Sequence, residues 1–324
     1  MRRAGAVVGQ MHRRDVLAGL GLLGLVGCRS AVEAALPDGV AERLHPPLGR
    51  LIEIDGLDVH ATDQGSGGPP VILIHGANVN LRDWTFSLSE RLARRQRVIA
   101  MDRPGLGYSQ RSEGVWTPAR QAAQLRAAAR EMGLERPIVV GHSWGGAVAL
   151  AWALDAPDEV RGVISVSGAN MPWGRFADLL VALGIGRAVV ELYLGRIARQ
   201  ADQGAIEDFV IRAFSPQAVP GGYLAYVGAP LSLRASSIRA NADDLVTLHD
   251  ALGEQARRYD DLKVPVEIVH GEADWLLDVP QHVTGLAERL PDATISLAPG
   301  VGHMAHHARP DLLEAAIARL SARA

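Results

Sequence analysis

Ser143 stands in Gly141-His142-Ser143-Trp144-Gly145, between the apolar run Ile138-Val139-Val140 and the helical pattern Ala147-Val148-Ala149-Leu150-Ala151-Trp152. Strand, sharp turn and helix, with a serine at the apex, is an arrangement suited to nucleophilic chemistry. The flanking glycines permit a strained turn in which neighbouring backbone comes very close. The strain lifts the serine Oγ clear of the sheet edge, where a base can reach it. A serine hydroxyl is weak until a base removes its proton. A histidine that could serve is His303, in Gly300-Val301-Gly302-His303, where the glycines argue for a loop rather than a core position.

The elements around these residues alternate. Val71-Ile72-Leu73-Ile74 is wholly apolar, as expected for a strand buried on both faces. Before it, Arg50–Ile54 and Leu57–Thr62 read as strands joined by an Asp55-Gly56 hairpin turn. Arg82 to Arg95 reads as one helix, with Trp84, Leu88 and Leu92 on one face. Val98-Ile99-Ala100-Met101 is a further strand, and Thr117-Pro118 opens a helix to about Met132. Val160–Ser167, Val264–Val269 and Thr294–Leu297 are the later strands, with helices expected over Val279–Leu290 and Met304–Ala322. This rhythm predicts an α/β fold with a mostly parallel sheet covered on both faces. Residues 170–262 break it with helical patterns, Gly, Pro and aromatic interruptions, and read as an inserted helical cap. Residues 50–169 and 263–324 form the expected core.

Five short motifs stand in order: His75-Gly76, Asp102-Arg103-Pro104-Gly105, Gly141-His142-Ser143-Trp144-Gly145, Gly271-x-x-Asp274 and Gly302-His303. Together they resemble the α/β-hydrolase superfamily, of the capped, esterase-like kind, over about residues 50–322. The resemblance implies an eight-stranded sheet and a catalytic triad of Ser143, Asp274 and His303. His303 would be the base, and Asp274 would fix its tautomer and stabilise the imidazolium. Glu272 and Asp278 compete for that role, and the family position favours Asp274. The oxyanion donors implied are the backbone N–H groups of Ala77 and Trp144. Serine at the apex separates the chain from relatives that carry aspartate there, the haloalkane dehalogenases and soluble epoxide hydrolases. It leaves ester hydrolysis as the leading expectation. Cofactor-free perhydrolysis, C–C bond hydrolysis and a non-catalytic binding protein on the same fold are the alternatives. No cofactor is implied.

Around the site, Asn78 either faces substrate or caps Leu81-Arg82, and Trp173 and Phe176 are candidates for the substrate pocket. Arg175, Arg212 and Arg234 read as surface charges before they read as carboxylate binders. Asp102 reads as structural, and His75 as a scaffold for its loop. His306 and His307, close after His303, raise a metal site, but that needs three or four converging ligands, and none is expected. The partner expected is a small acyl substrate.

The chain of 324 residues is 48% hydrophobic, enough for a sizeable core, and its net charge of −3 carries no basic surplus for nucleic acid. Its one cysteine, Cys28, excludes an intrachain disulfide. Arg13-Arg14 precedes an apolar run from Val16 to Gly27 that is too short to span a bilayer as a helix. With Leu25-Val26-Gly27-Cys28 this looks like a bacterial lipoprotein signal of twin-arginine type, although Val16 stands where phenylalanine is usual. The expectation is export, with lipidation of Cys28 holding the protein to a membrane and residues 29–49 serving as a tether.

Overall fold

The computed structural model describes residues 39–173 and 203–323. Cys28 with the rest of the expected export signal, Phe176 and Arg175 lie outside them. One eight-stranded sheet organises the molecule: β1 Arg50–Ile54, β2 Leu57–Ala61, β3 Val71–Ile74, β4 Val98–Met101, β5 Ile138–His142, β6 Gly162–Val166, β7 Val266–Gly271 and β8 Ala293–Ala298. Their order across the sheet is β1-β2-β4-β3-β5-β6-β7-β8. β2 pairs antiparallel with both β1 and β4, and every other pairing is parallel. The β1–β2 turn has positive φ at both Asp55 and Gly56 (52° and 78°), the conformation that an Asp-Gly hairpin favours.

The central strands β3 to β7 are buried along their whole length, as the apolar runs of β3 and β4 require, while in β7 the buried Glu267 is paired with Arg319 at 2.6 Å. Side chains alternate between two cores. Ile72, Ile74, Val139 and Val163 join Leu125, Ala147, Leu150 and Trp152 on one face. Val71, Leu73, Val140 and Ile164 join Leu88, Leu92, Ile317 and Leu320 on the other. Fully burying such a residue contributes roughly 1.5–3 kcal/mol. The Pro118–Glu131 helix starts with proline in its first turn and with Thr117 Oγ1 accepting from Arg120 N–H at 3.3 Å. The Trp144–Asp155 helix is buried from Trp144 to Ala153, which explains why it is apolar on all sides.

Between β6 and β7 the described part of the insertion is helical: Gln203–Phe214, Tyr223–Val227, Ala229–Ser232 and the long Ala235–Ala256 helix. A third apolar cluster, including Phe214, Tyr223 and Val227, forms beneath it against Met304. No helix among the described residues is long and apolar enough to cross a membrane.

Three helices differ from the sequence expectation. Arg82–Arg95 divides into Arg82–Thr85 and Leu88–Ala93, because Ser87 leaves helical geometry at φ −154°. Met304–Ala322 divides into Ala305–Ala308 and Pro310–Ala322, since Pro310 holds Arg309 out of the helical region at φ −136°, ψ 62°. Val279–Leu290 is reduced to a π-helical turn, Pro280–Thr284, followed by Gly285–Ala287. Residues 39–49, expected as tether, hold a short Val40–Leu44 helix that contacts both the core and the insertion. The Tyr108 hydroxyl donates to His45 C=O at 2.5 Å, and Arg234 pairs with Glu42 at 2.8 Å.

Candidate active site

Most of the chemistry-bearing residues stand on loops leaving the carboxyl ends of the parallel strands, where open α/β sheets place their ligands. Ser143 directly follows β5 at φ 51°, ψ −117°, a conformation costly for a residue with a Cβ, and begins the Trp144–Asp155 helix. Its backbone is fixed on both sides: Ser143 N–H donates to Val166 C=O at 3.0 Å, and its carbonyl accepts from Gly146 and Ala169. The two glycines of the motif are required by contact. A Cβ on Gly141 would lie under 3.0 Å from the Gly145 carbonyl, and one on Gly145 under 3.0 Å from the Ile74 and His75 carbonyls. Ser143 stays half-buried while His142 and Trp144 on either side are buried, so the apex alone is offered to a reactant.

Asp274 lies three residues past β7, and His303 on the loop after β8. Glycine again permits the approach, since a Cβ on Gly271 would collide with the carbonyls of Val301 and Gly302. His303 Nδ1 lies 2.7 Å from Asp274 Oδ2. Asp274 Oδ1 accepts from Leu276 and Leu277 N–H at 2.9 and 3.1 Å. Burial pushes the Asp274 carboxyl up, but His303, His270 and the backbone donors outweigh it and hold the group below the usual carboxylate range. An ionised carboxylate there makes His303 Nδ1 the protonated nitrogen and leaves Nε2 free to accept a proton. Of the competitors, Glu272 is exposed, and Asp278 instead accepts from Gln281 N–H at 2.9 Å.

His142 links the two halves. Its ring packs on His303 with centroids 4.9 Å apart, and its Nε2 lies 3.3 Å from His303 C=O. Ala77 reaches the same place from β3, because a Cβ built on Gly76 would stand 3.1 Å from Ser143 Cβ. The structure therefore gathers Ser143, Trp144, Ala77, Asp274 and His303 at one edge of the sheet. Nearby, Asn78 takes positive φ (58°) and is held through its backbone, its N–H donating to Asn241 Oδ1 at 2.9 Å. Asn80, not Asn78, bonds the start of the following helix, its Oδ1 accepting from Arg82 N–H at 2.9 Å. Trp173 is half-buried, its ring 6.3 Å from that of His249 and 5.8 Å from that of His282.

His75 and Asp102 hold the loops, as their motifs implied. His75 Nε2 accepts from Arg103 N–H at 2.9 Å, and burial brings its pKa down to about 4. Asp102 accepts from Leu81 and Tyr108 N–H and lies 2.6 Å from His60 Nδ1. Arg212 lies over the Trp275 ring, and Arg234 is engaged by Glu42 and the Gly107 carbonyl.

A buried polar cluster behind the site was not anticipated. Asp83 lies within hydrogen-bonding distance of His306, His307 and the Tyr223 hydroxyl, at 3.1, 2.8 and 2.7 Å. Burial pushes its carboxyl up, but the two histidines prevail and hold it well below the usual range. Burial takes His306 down to about 4, so it donates to Asp83 as a neutral ring. Asp83, His142 and His306 bring ligand atoms within 4.8 Å of one another. His306 and His307 thus face Asp83 rather than Asp274, and Asp83 is already satisfied by three protein donors. The Asp83 signal lay in Leu81-Arg82-Asp83-Trp84, but its partners are more than 130 residues away and no spacing rule joins them.

A strained serine between strand and helix, on a parallel sheet whose other strand ends carry an Asp–His pair, defines an α/β-hydrolase architecture. A family model described as alpha/beta hydrolase fold matches residues 69–310, and the chain belongs to that family. The dihydrolipoyllysine-residue acetyltransferase component of the acetoin cleaving system of Cupriavidus necator is 34% identical over 163 residues, 47% of this chain and 43% of that one. The 2-hydroxy-6-oxo-2,4-heptadienoate hydrolase of Pseudomonas putida is 33% identical over 140 residues, 39% of this chain and 50% of that one. The chain therefore spans half the length, or less, of these two curated relatives. A thermophilic esterase from Thermogutta terrifontis superposes with a TM-score of 0.66 at 23% identity, over 84% of this chain and 97% of that one, a likeness of fold.

Proposed function

We propose that the protein is a serine hydrolase that cleaves a carboxylic ester, or a related acyl substrate, through Ser143, His303 and Asp274. The observation that carries this reading is the 2.7 Å contact of His303 with Asp274, on a ring that packs against His142, the residue just before a serine held at φ 51°. Ser143 Oγ attacks the carbonyl carbon as its proton passes to His303 Nε2. The carbonyl oxygen becomes an oxyanion facing the Ala77 and Trp144 N–H groups, and the positive end of the Trp144–Asp155 helix adds to its stabilisation. Collapse expels the alcohol with the proton from His303 and leaves an acyl group on Ser143. Water, deprotonated by the same histidine, releases the acid and restores the serine.

A second reading is C–C bond hydrolysis on the same three residues, favoured by the identity to the Pseudomonas putida dienoate hydrolase. Residues 170–262 act as the cap in either reading, with Trp173 and Asn78 at the pocket. A panel of p-nitrophenyl esters of graded acyl length, lactones and a dienone acid separates the two. Ester turnover should exceed dienone turnover and vanish in Ser143→Ala. Undiminished ester turnover in that variant would sink the triad assignment.

The lipoprotein-like Leu25-Val26-Gly27-Cys28 further supports an exported protein anchored at the membrane through Cys28. Each buried acyl CH₂ contributes ~0.8 kcal/mol, so stable attachment takes more than one chain. Cys28→Ser should move the full-length protein to the soluble fraction of its host. Unchanged membrane retention would refute lipidation.

A further inference from the structure

The loop that carries Ala77 is held from the insertion as well as from the sheet. The Gly76 carbonyl accepts from Arg103 Nη2 at 3.0 Å. His75 Nδ1 lies 2.9 Å from the same oxygen. Because His75 Nε2 accepts from Arg103 N–H, Nδ1 carries the ring proton and donates to it. In a trans peptide the C=O and the following N–H point in opposite directions. Fixing the Gly76 carbonyl on these two donors therefore fixes the direction of the Ala77 N–H.

Arg103 is itself set by the long Ala235–Ala256 helix. Its Nη1 donates to Asp244 Oδ2 at 2.7 Å and to Gln121 Oε1 at 2.9 Å, and both ends of the ion pair are buried. Arg111 reaches the other oxygen of Asp244 at 2.9 Å. Three residues earlier on that helix, Asn241 Oδ1 takes the Asn78 N–H, while Ser232 Oγ donates to the Asn78 carbonyl at 2.8 Å. Asn241 is itself fixed, its Nδ2 donating to Ser237 C=O at 3.1 Å. The insertion thus grips the loop immediately after Ala77, and through Arg103 the peptide immediately before it.

We propose that Arg103 and Asn241 are positioning residues for the oxyanion donor, so that the seating of the insertion on the core sets the aim of the Ala77 N–H. This rests on the serine-hydrolase reading above. Both side chains are buried. Each acts on turnover through the orientation of one peptide unit, and misplacement of a catalytic group by about an ångström costs on the order of 10²-fold.

The test compares wild type with Arg103→Lys and Asn241→Ala in the full-length protein. Lysine keeps a positive charge against Asp244, but its single ammonium cannot also span to the Gly76 carbonyl. Three quantities are read on a p-nitrophenyl ester: kcat, KM and the Ki of a trifluoromethyl ketone, whose serine adduct carries the oxyanion. Arg103→Lys should lose about 10- to 100-fold in kcat with KM changed by less than about threefold. Asn241→Ala should lose roughly 3- to 10-fold. In both, Ki should rise in step with the fall in kcat/KM, which a general loosening of structure would not produce. Values of kcat and Ki within about twofold of wild type in the folded variants would overturn the proposal. Should Arg103→Lys not fold, Asn241→Ala decides alone, since it leaves the buried ion pair intact. Failure of the underlying reading looks different: wild type itself would neither bind the ketone nor be labelled on Ser143 by a fluorophosphonate, and both proposals would go together.

Discussion

Asp274→Asn tests the role of the carboxylate with almost no change of shape. Asp274 uses both oxygens: Oδ1 takes two backbone N–H groups, from Leu276 and Leu277, and Oδ2 takes the His303 ring. Asparagine has one oxygen to offer. Turned toward His303, it would set an NH₂ against two buried backbone donors, each left unsatisfied at a cost of about 1–3 kcal/mol. The amide oxygen therefore goes to Leu276 and Leu277, and the NH₂ faces His303 Nδ1. That nitrogen must then accept, which moves the ring proton to Nε2, the atom required to take the proton of Ser143. The base is present, correctly placed and in the wrong tautomer. The equivalent exchange in a serine protease lowers kcat by about 10⁴, and a loss near that size is expected here, equivalent to ~5.4 kcal/mol of barrier. The assay is kcat on p-nitrophenyl acetate, with thermal melting to show that the fold is retained. A folded Asp274→Asn protein that keeps more than about a tenth of wild-type kcat would refute the tautomer argument and Asp274 as the orienting acid.

Other outcomes follow from the same contacts. Gly145→Ala places a Cβ against the backbone carbonyls of Ile74 and His75, neither of which is a side chain that can swing away. It should cost about 1–3 kcal/mol or more and slow labelling of Ser143; an unchanged melting temperature and labelling rate would contradict the close approach. Buried His75, His282 and His306 are each driven down to about 4, first of all by desolvation. With folded values below the unfolded one, their stabilising effect is complete above about pH 6.5 and is lost as pH falls toward 4. At pH 5 that loss is on the order of 2 kcal/mol for each group. Urea midpoints should fall clearly between pH 7 and pH 5, and identical midpoints would contradict the neutral buried rings.

The sequence disclosed the strands and their surroundings unevenly, for physical reasons. Strands such as Val71–Ile74 and Val98–Met101 are legible because burial on both faces leaves an unbroken apolar run. The elbow was legible because Gly141 and Gly145 answer steric demands a few residues apart. Asp274 and His303 needed the order of motifs, since their contact joins loops 29 residues apart. Arg103 with Asp244, and Asp83 with Tyr223 and His306, were not legible: each pair is joined by folding across 140 residues or more. Breaks within helices are not legible where one residue decides them, at Ser87 and Arg309. Loss of rhythm over residues 170–262 is a signal that marks a segment and says little about its helices.

The central claim is that Ser143 is the nucleophile of an Asp274–His303–Ser143 site. It is tested most directly by treating the purified protein with a fluorophosphonate and locating the adduct by peptide mass spectrometry. One adduct per chain is expected, on the peptide that contains Ser143, forming at least about 10³-fold more slowly in His303→Ala because the hydroxyl then lacks its base. An adduct on another residue, or ester turnover that persists with Ser143 unmodified, would contradict the account.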